Sequence, residues 1–125
     1  MQRILLKSKI HRVRITDANI DYEGSVSIDE KLMEKANIIP YERVNIWDVN
    51  NGNRFETYAI PAKKNSGDIV VNGAAARLVQ IGDTIIIASF AIYSGEEIRP
   101  SKKGGEGYKP VMVYVDNNNR VTSVK

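Results

Sequence analysis

Short runs in which β-branched and aromatic residues alternate with polar ones recur along the whole chain, punctuated by Gly, Asn and Pro. A period of two is the mark of strands with one buried face. The runs predict strands at residues 4–8, 12–16, 25–28, 44–49, 55–60, 69–71, 84–90, 111–115 and 121–124. Asn50-Asn51-Gly52-Asn53 and Asp116-Asn117-Asn118-Asn119 read as hairpin turns, because Asn and Gly tolerate the positive φ of tight connections. Helical periodicity is clear once, where Asp29 caps a segment whose Leu32, Met33 and Ala36 share a face and which ends near Asn37 and Pro40. A shorter helix is predicted from Gly73 through Leu78, and residues 94–109, rich in Gly, Ser, Pro and Lys, read as a long loop. Many short strands with one or two short helices predict a mainly β domain, a small barrel or a sandwich, and the pattern alone leaves both open.

Composition narrows the chemistry more than the fold. At 125 residues the chain is expected to form a single domain spanning 1–125. With no Cys and one His, thiol nucleophiles, zinc–thiolate clusters and His-pair metal motifs are excluded, so no metal site is expected. A Ser-His-Asp triad would have to be built around His11 alone. The longest apolar stretch, residues 85–92 with Ser89 inside it, is far short of a bilayer-spanning helix, and no charged-then-apolar leader opens the sequence. A cytoplasmic protein with no membrane contact is the expectation. The net charge of +3 is a mild excess spread along the chain. A small basic barrel that binds nucleic acid is the alternative reading, but two Phe and one Trp leave few stacking platforms, so no nucleic-acid partner is expected.

Four constellations could carry chemistry. In Tyr22-Glu23-Gly24-Ser25 a residue without a side chain precedes a hydroxyl at a turn into a strand. Gly24 leaves its carbonyl open and free to adopt a strained conformation, so the Ser25 hydroxyl can attack it and turn peptide into ester. Arg54, Glu56 and Tyr58 alternate onto one face of a strand and Thr57 onto the other; a single pocket using both Thr57 and Tyr58 would need a twist or bulge. Arg54 suits a carboxylate and Tyr58 can donate a proton. Asn72-Gly73-Ala74-Ala75-Ala76 permits close backbone approach and starts a helix, without the spacing of a nucleotide phosphate loop. Lys7, Lys9 and His11 line one side of the first strands, which reads most simply as a solvated face.

Taken together the pieces resemble one family, the pyruvoyl-dependent aspartate 1-decarboxylases. The motifs run in order without gaps to about residue 90: Lys9-Ile10-His11-Arg12-Val13, Tyr22-Glu23-Gly24-Ser25, Ile46-Trp47, Asn51-Gly52 with Arg54, Thr57-Tyr58-Ala59-Ile60, Val71 to Ala76, and Gly82-Asp83 through Phe90. Beyond Tyr93 the likeness fades, and no role is carried onto 94–125. Val26-Ser27 differs from the Cys-Ala that follows the cleavage serine in some relatives.

The resemblance implies a six-stranded double-psi β-barrel, a homotetramer with active sites between subunits, and self-cleavage between Gly24 and Ser25 into residues 1–24 and 25–125. Ser25 attacks the Gly24 carbonyl, β-elimination frees a chain ending at Gly24, and the dehydroalanine left at 25 loses ammonia to become a covalent pyruvoyl group. That group would form a Schiff base with L-aspartate and accept the electrons left on Cα by decarboxylation to β-alanine, feeding pantothenate and coenzyme A synthesis. By the family pattern Lys9 and Arg54 bind substrate carboxylate. Thr57, Asn72 and the backbone of Gly73, Ala74 and Ala75 position substrate, and Tyr58 protonates Cα. Thr57 also polarises the Gly24 carbonyl during processing, and His11 and Tyr22 stand behind the site.

Overall fold

A computed structural model describes residues 1–100 and 107–125. The predicted mainly β architecture is present. Nine strands form one sheet: β1 (Arg3–Arg14), β2 (Asp17–Asn19), β3 (Ser25–Asp29), β4 (Arg43–Asp48), β5 (Arg54–Ala62), β6 (Ile69–Asn72), β7 (Thr84–Tyr93), β8 (Val111–Val115) and β9 (Val121–Val124), in the order β2-β6-β3-β5-β4-β7-β1-β8-β9. Nine strands among the described residues do not confirm the count of six implied by the resemblance, and no ladder among those residues joins the two outer strands. The sheet is nonetheless strongly curled. Between β1 and β2 lie six ladder steps, roughly 29 Å in a flat sheet, whereas Arg14 and Asp17 are three residues apart, a reach of about 11 Å. Thr16 spans the gap, its amide donating to the Ile69 carbonyl over 2.8 Å and its hydroxyl accepting from the Ile69 amide over 2.9 Å.

The curl encloses one apolar core, with Ile10, Val13, Val26, Ile28, Val44, Ile46, Ala59, Ile69, Val71, Ile85 and Ile87 fully buried. Two predicted strands, 4–8 and 12–16, are one strand, because a bulge carries the ladder past the charged residues between them. Ile10 faces Ile87 and Val13 faces Ile85, so β1 spends one residue more than β7, and Arg12 takes a φ of 64°. The extra residue keeps Val13 in the core, and Lys9 and His11 lie on the outer side as the alternation predicted. Lys7, at a second register shift between Leu6 and Ser8, is not part of a solvated face: its side chain is largely covered and its ammonium pairs with the Glu42 carboxylate at 2.7 Å.

Asp29 caps α1 (Glu30–Lys35), its carboxylate accepting from Lys31 N over 2.8 Å, and Leu32 and Met33 are the buried face. The same carboxylate accepts from the amides of Asn65 and Gly67, both over 2.9 Å, which explains how a 2 % exposed Asp is tolerated. Both predicted hairpin turns form, around Gly52 at φ 78° and Asn119 at φ 60°. Inside the stretch read as a loop, α2 (Gly95–Ile98) makes one turn under a Ser94 and Glu97 capping box; residues 101–106 of that stretch lie outside the described ones. The three-residue β2 was not predicted, being too short to show a period.

Asp48 ends β4 beside Asp83. One of its oxygens accepts from the amides of Asn50 and Asn51, and the other is buried without a partner. Burial, then the neighbouring Asp83 carboxyl, push Asp48 above the ordinary carboxylate range. A raised folded-state value means the native protein holds its proton more tightly than the unfolded chain. This contribution to stability is therefore complete at low pH and declines as pH rises from about 4, the ordinary Asp value, through the raised one. Asp48→Asn keeps the accepting oxygen and removes the charge. It should raise the Tm by a few degrees at neutral pH and flatten the decline, checked by thermal melts across the acid to neutral range.

Candidate active site

The site is built where β3 lies between two different partners. It pairs antiparallel with β6, bringing Ser25 opposite Asn72 and Val26 opposite Val71, and parallel with β5, bringing Val26 beside Ala59. Val26, Val71 and Ala59 face the core, so Ser25 and Asn72 face outward. Continuing the parallel register back by one residue sets Tyr58 beside Ser25 on that outer face, and by two sets Thr57 beside Gly24 on the inner one. No bulge separates Thr57 from Tyr58: β4 faces β5 in unbroken register from Arg43 opposite Tyr58 to Trp47 opposite Arg54. The two residues serve opposite faces, and each neighbours a different side of the Gly24–Ser25 bond.

Ser25 and Asn72 are only 2 % and 4 % exposed. The Asn72 amide nitrogen donates to the Ser25 hydroxyl oxygen over 3.1 Å and to that of Ser27 over 3.2 Å. Asn72 is the residue before a 3-10 helix (Gly73–Leu78), but its side chain does not cap it. The amide is spent on the two serines instead. Ser27 is a member of this cluster that the sequence reading passed over; its position two residues after Ser25 on one strand face was the available signal. Gly24 itself is exposed and outside the left-handed region, and a Cβ there would meet nothing within 4 Å. Gly73 is the constrained residue, buried at φ 75° against the backbone of Gly24 and Tyr22. The Tyr22 side chain is exposed.

The proposed carboxylate binders stand elsewhere on the outer face. Arg54 begins β5, four residues or about 13 Å along the strand from Tyr58, and its guanidinium stacks 4.4 Å from the centre of the Trp47 ring. Together with Asn45, Phe55, Glu56 and Phe90 they line an open cleft of about 550 Å³. Lys9 lies in one row with Ala88, Asn45 and Glu56, three ladder steps or about 14 Å from the last. His11, in the β1 bulge, sets its ring edge-on to Tyr114 at 5.7 Å, with a buried Nδ1 that lacks a partner. Burial, then the charges of Lys9 and Arg12, hold its pKa below the ordinary histidine value. The chain thus brings together Tyr22, Gly24, Ser25, Asn72 and Gly73, with Thr57 and Tyr58 flanking them, and holds Lys9, His11 and Arg54 apart. Among the described residues no group of three or more acidic or His side chains could hold a metal ion, and no helix is long and apolar enough to cross a membrane.

The sequence profile of aspartate decarboxylase matches residues 1–122, well past the point where the motifs end. The chain belongs to the aspartate decarboxylase family. Curated relatives are similar over nearly their whole lengths. Aspartate 1-decarboxylase of Syntrophus aciditrophicus is 56% identical over 121 residues, covering 97% of this chain and 98% of that one. The enzyme of the same name from Thermoanaerobacter pseudethanolicus is 52% identical over 120 residues, covering 96% and 97%. That from Paraburkholderia xenovorans is 52% identical over 121 residues, covering 97% and 90%. Among solved structures, the rationally designed protein mkDPBB_sym_86 superposes on 63% of this chain and 91% of its own, at 15% identity and a TM-score of 0.47.

In this aspartate decarboxylase family member the single Trp reports on the cleft. Arg54→Leu should shift the Trp47 emission maximum and cost about 0.5–1 kcal/mol of stability, the range of an exposed cation–π contact. Fluorescence and denaturant titration check both, and an unmoved emission would mean the two groups do not stack.

Proposed function

We propose that the chain is a pyruvoyl-dependent aspartate 1-decarboxylase that cuts itself between Gly24 and Ser25 and then converts L-aspartate to β-alanine and carbon dioxide, a supply for pantothenate and coenzyme A synthesis. The observation that carries the reading is the Ser25 hydroxyl held by Asn72 at the start of β3, on the residue directly after the Gly24 carbonyl, in a chain that matches this family over residues 1–122.

Processing needs a bond exchange that the chain can perform on itself. The Ser25 hydroxyl oxygen bonds to the Gly24 carbonyl carbon, the C–N bond breaks, and an ester with a free amine at position 25 results. Loss of the Ser25 α-proton then expels the Gly24 carboxylate, and water replaces the nitrogen of the remaining dehydroalanine as ammonia leaves. Oxygen charge develops on the Gly24 carbonyl in the first step, and Thr57, beside Gly24 in register, is the hydroxyl assigned to stabilise it. Asn72 is a donor to Ser25 and cannot act as its base; its part is to fix the hydroxyl's position.

The surroundings of position 25 suit a ketone. An amide donor lies within hydrogen-bond reach, a phenol stands beside it in register, and water is nearly excluded. When formed, the pyruvoyl group supplies a carbonyl for the substrate amine and a sink for the electron pair released with carbon dioxide. Thr57 and the Gly73, Ala74 and Ala75 backbone orient the substrate there, and Tyr58 delivers the proton to Cα. Lys9 and Arg54 take the carboxylates. Their distance from Ser25 within one chain supports a site completed by a neighbouring subunit, in a homotetramer where the cleft of one copy faces the Ser25 of the next. His11, set against Tyr114, has no assigned step.

Intact-mass analysis tests the reading. The purified chain should resolve into residues 1–24 and 25–125, with summed mass changed by water gained and ammonia lost and with a carbonyl-reactive end on the larger piece. Ser25→Ala should abolish cleavage and decarboxylation together. Tyr58→Phe should still cleave while losing turnover by about 10²-fold or more. A wild-type chain that stays whole after prolonged warming would sink the proposal.

A further inference from the structure

We propose that Gly73 is a positioning residue for cleavage of the Gly24–Ser25 bond, the volume of its missing side chain being occupied by the backbone of Gly24. The inference rests on the reading that this bond is cut, and asks what aims it.

A Cβ built on Gly73 would sit 2.7 Å from Gly24 Cα, 2.9 Å from Gly24 N and 3.2 Å from the Tyr22 carbonyl oxygen. All three are main-chain atoms, so no rotamer change relieves the overlap. Something in the backbone must move, and the two sides of the contact are not equally free. Gly73 follows Asn72, which is paired with Ser25 across β3 and β6 and hydrogen-bonded to it and to Ser27. Residues 22–24 precede β3 at the end of an exposed turn, tied to it by one long bond from Tyr22 N to the Asn19 carbonyl at 3.5 Å, the turn's other bond, Asp21 N to Asn19 Oδ1 at 3.0 Å, lying before them. Displacement therefore falls on 22–24, carrying the Gly24 carbonyl away from a Ser25 hydroxyl that Asn72 keeps in place. Attack at a carbonyl needs the reacting atoms within about 3–3.5 Å and in line, and an error near 1 Å can lower a rate about 10²-fold.

The cleavage glycine does not carry the same demand, since a side chain at Gly24 would meet open space. The need for a glycine at this junction is written chiefly at position 73, where both the φ of 75° and the contact with Gly24 exclude a side chain. Gly82 separates the two causes. It also lies in the left-handed region, at φ 92°, but has nothing within 4 Å of its Cβ direction. Gly82→Ala carries the backbone strain alone, whereas Gly73→Ala carries the strain and the overlap.

The experiment compares cleavage rates of the full chain, read by intact mass over time, with the Tm of each variant. Gly73→Ala should cleave at least about tenfold more slowly than Gly82→Ala, at comparable loss of Tm. Gly73→Asn, whose side chain tolerates positive φ yet keeps a Cβ, should be nearer to wild type in Tm and still slow. Equal cleavage rates in Gly73→Ala and Gly82→Ala overturn the inference while the wild type still cuts. Failure of both Gly73 variants to fold, with Gly82→Ala folded, also overturns it, because the contact would then belong to the fold and not to the cleavage step. A wild-type chain that never cleaves removes this inference and the proposed function together.

Discussion

The placement of β3 between an antiparallel and a parallel neighbour is the constraint on which the site depends. The antiparallel ladder with β6 sets Ser25 opposite Asn72, and the parallel ladder with β5 brings Tyr58 and Thr57 to either side of residues 24 and 25. Neither neighbour alone would define the site. Because side chains alternate along each strand, a slip of one residue in either ladder would exchange the serines for core valine and isoleucine. The apolar packing of Val26 and Ile28 with Val71, Ile69 and Ala59 therefore specifies the chemistry indirectly, by making every other register expensive.

The same alternation resolves the tension between Thr57 and Tyr58. Adjacent residues on a regular strand cannot point into one pocket from one side, and β5 stays regular across them. A peptide bond, however, presents two sides. In the proposed function a hydroxyl beside Gly24 and a phenol beside Ser25 would address successive stages at one locus without sharing a face.

How far this could be read from sequence depended on range. Local rules sufficed for the Asp29 cap and the Gly52 and Asn119 turns, because each rests on spacing within a few residues; they did not show that Lys7 is covered and paired with Glu42, a residue thirty-five positions away. The bulge at Arg12 was invisible because it answers to the spacing of Ile85 and Ile87 on a strand some seventy residues away in the chain. Gly24 and Ser25 were legible as a pair, but the constraint at Gly73 was not, since the atoms that crowd it come from residues 22 and 24. Ser27 escaped for a similar reason: only the Asn72 amide, arriving on β6, gives its hydroxyl a partner in the cluster.

The length of β1 has a further consequence. Nine of its twelve residues are paired to β7, residues 8–11 are paired to β8, and β2 follows to pair with β6. A cut after residue 24 would therefore free an end without freeing a piece. The first 24 residues would remain as a donated strand that fills a slot in the sheet, held by ladder bonds and by Ile10 and Val13 in the core. The architecture does not lean on covalent continuity at that junction, so the proposed spending of a main-chain bond on a reactive group would leave the shape intact.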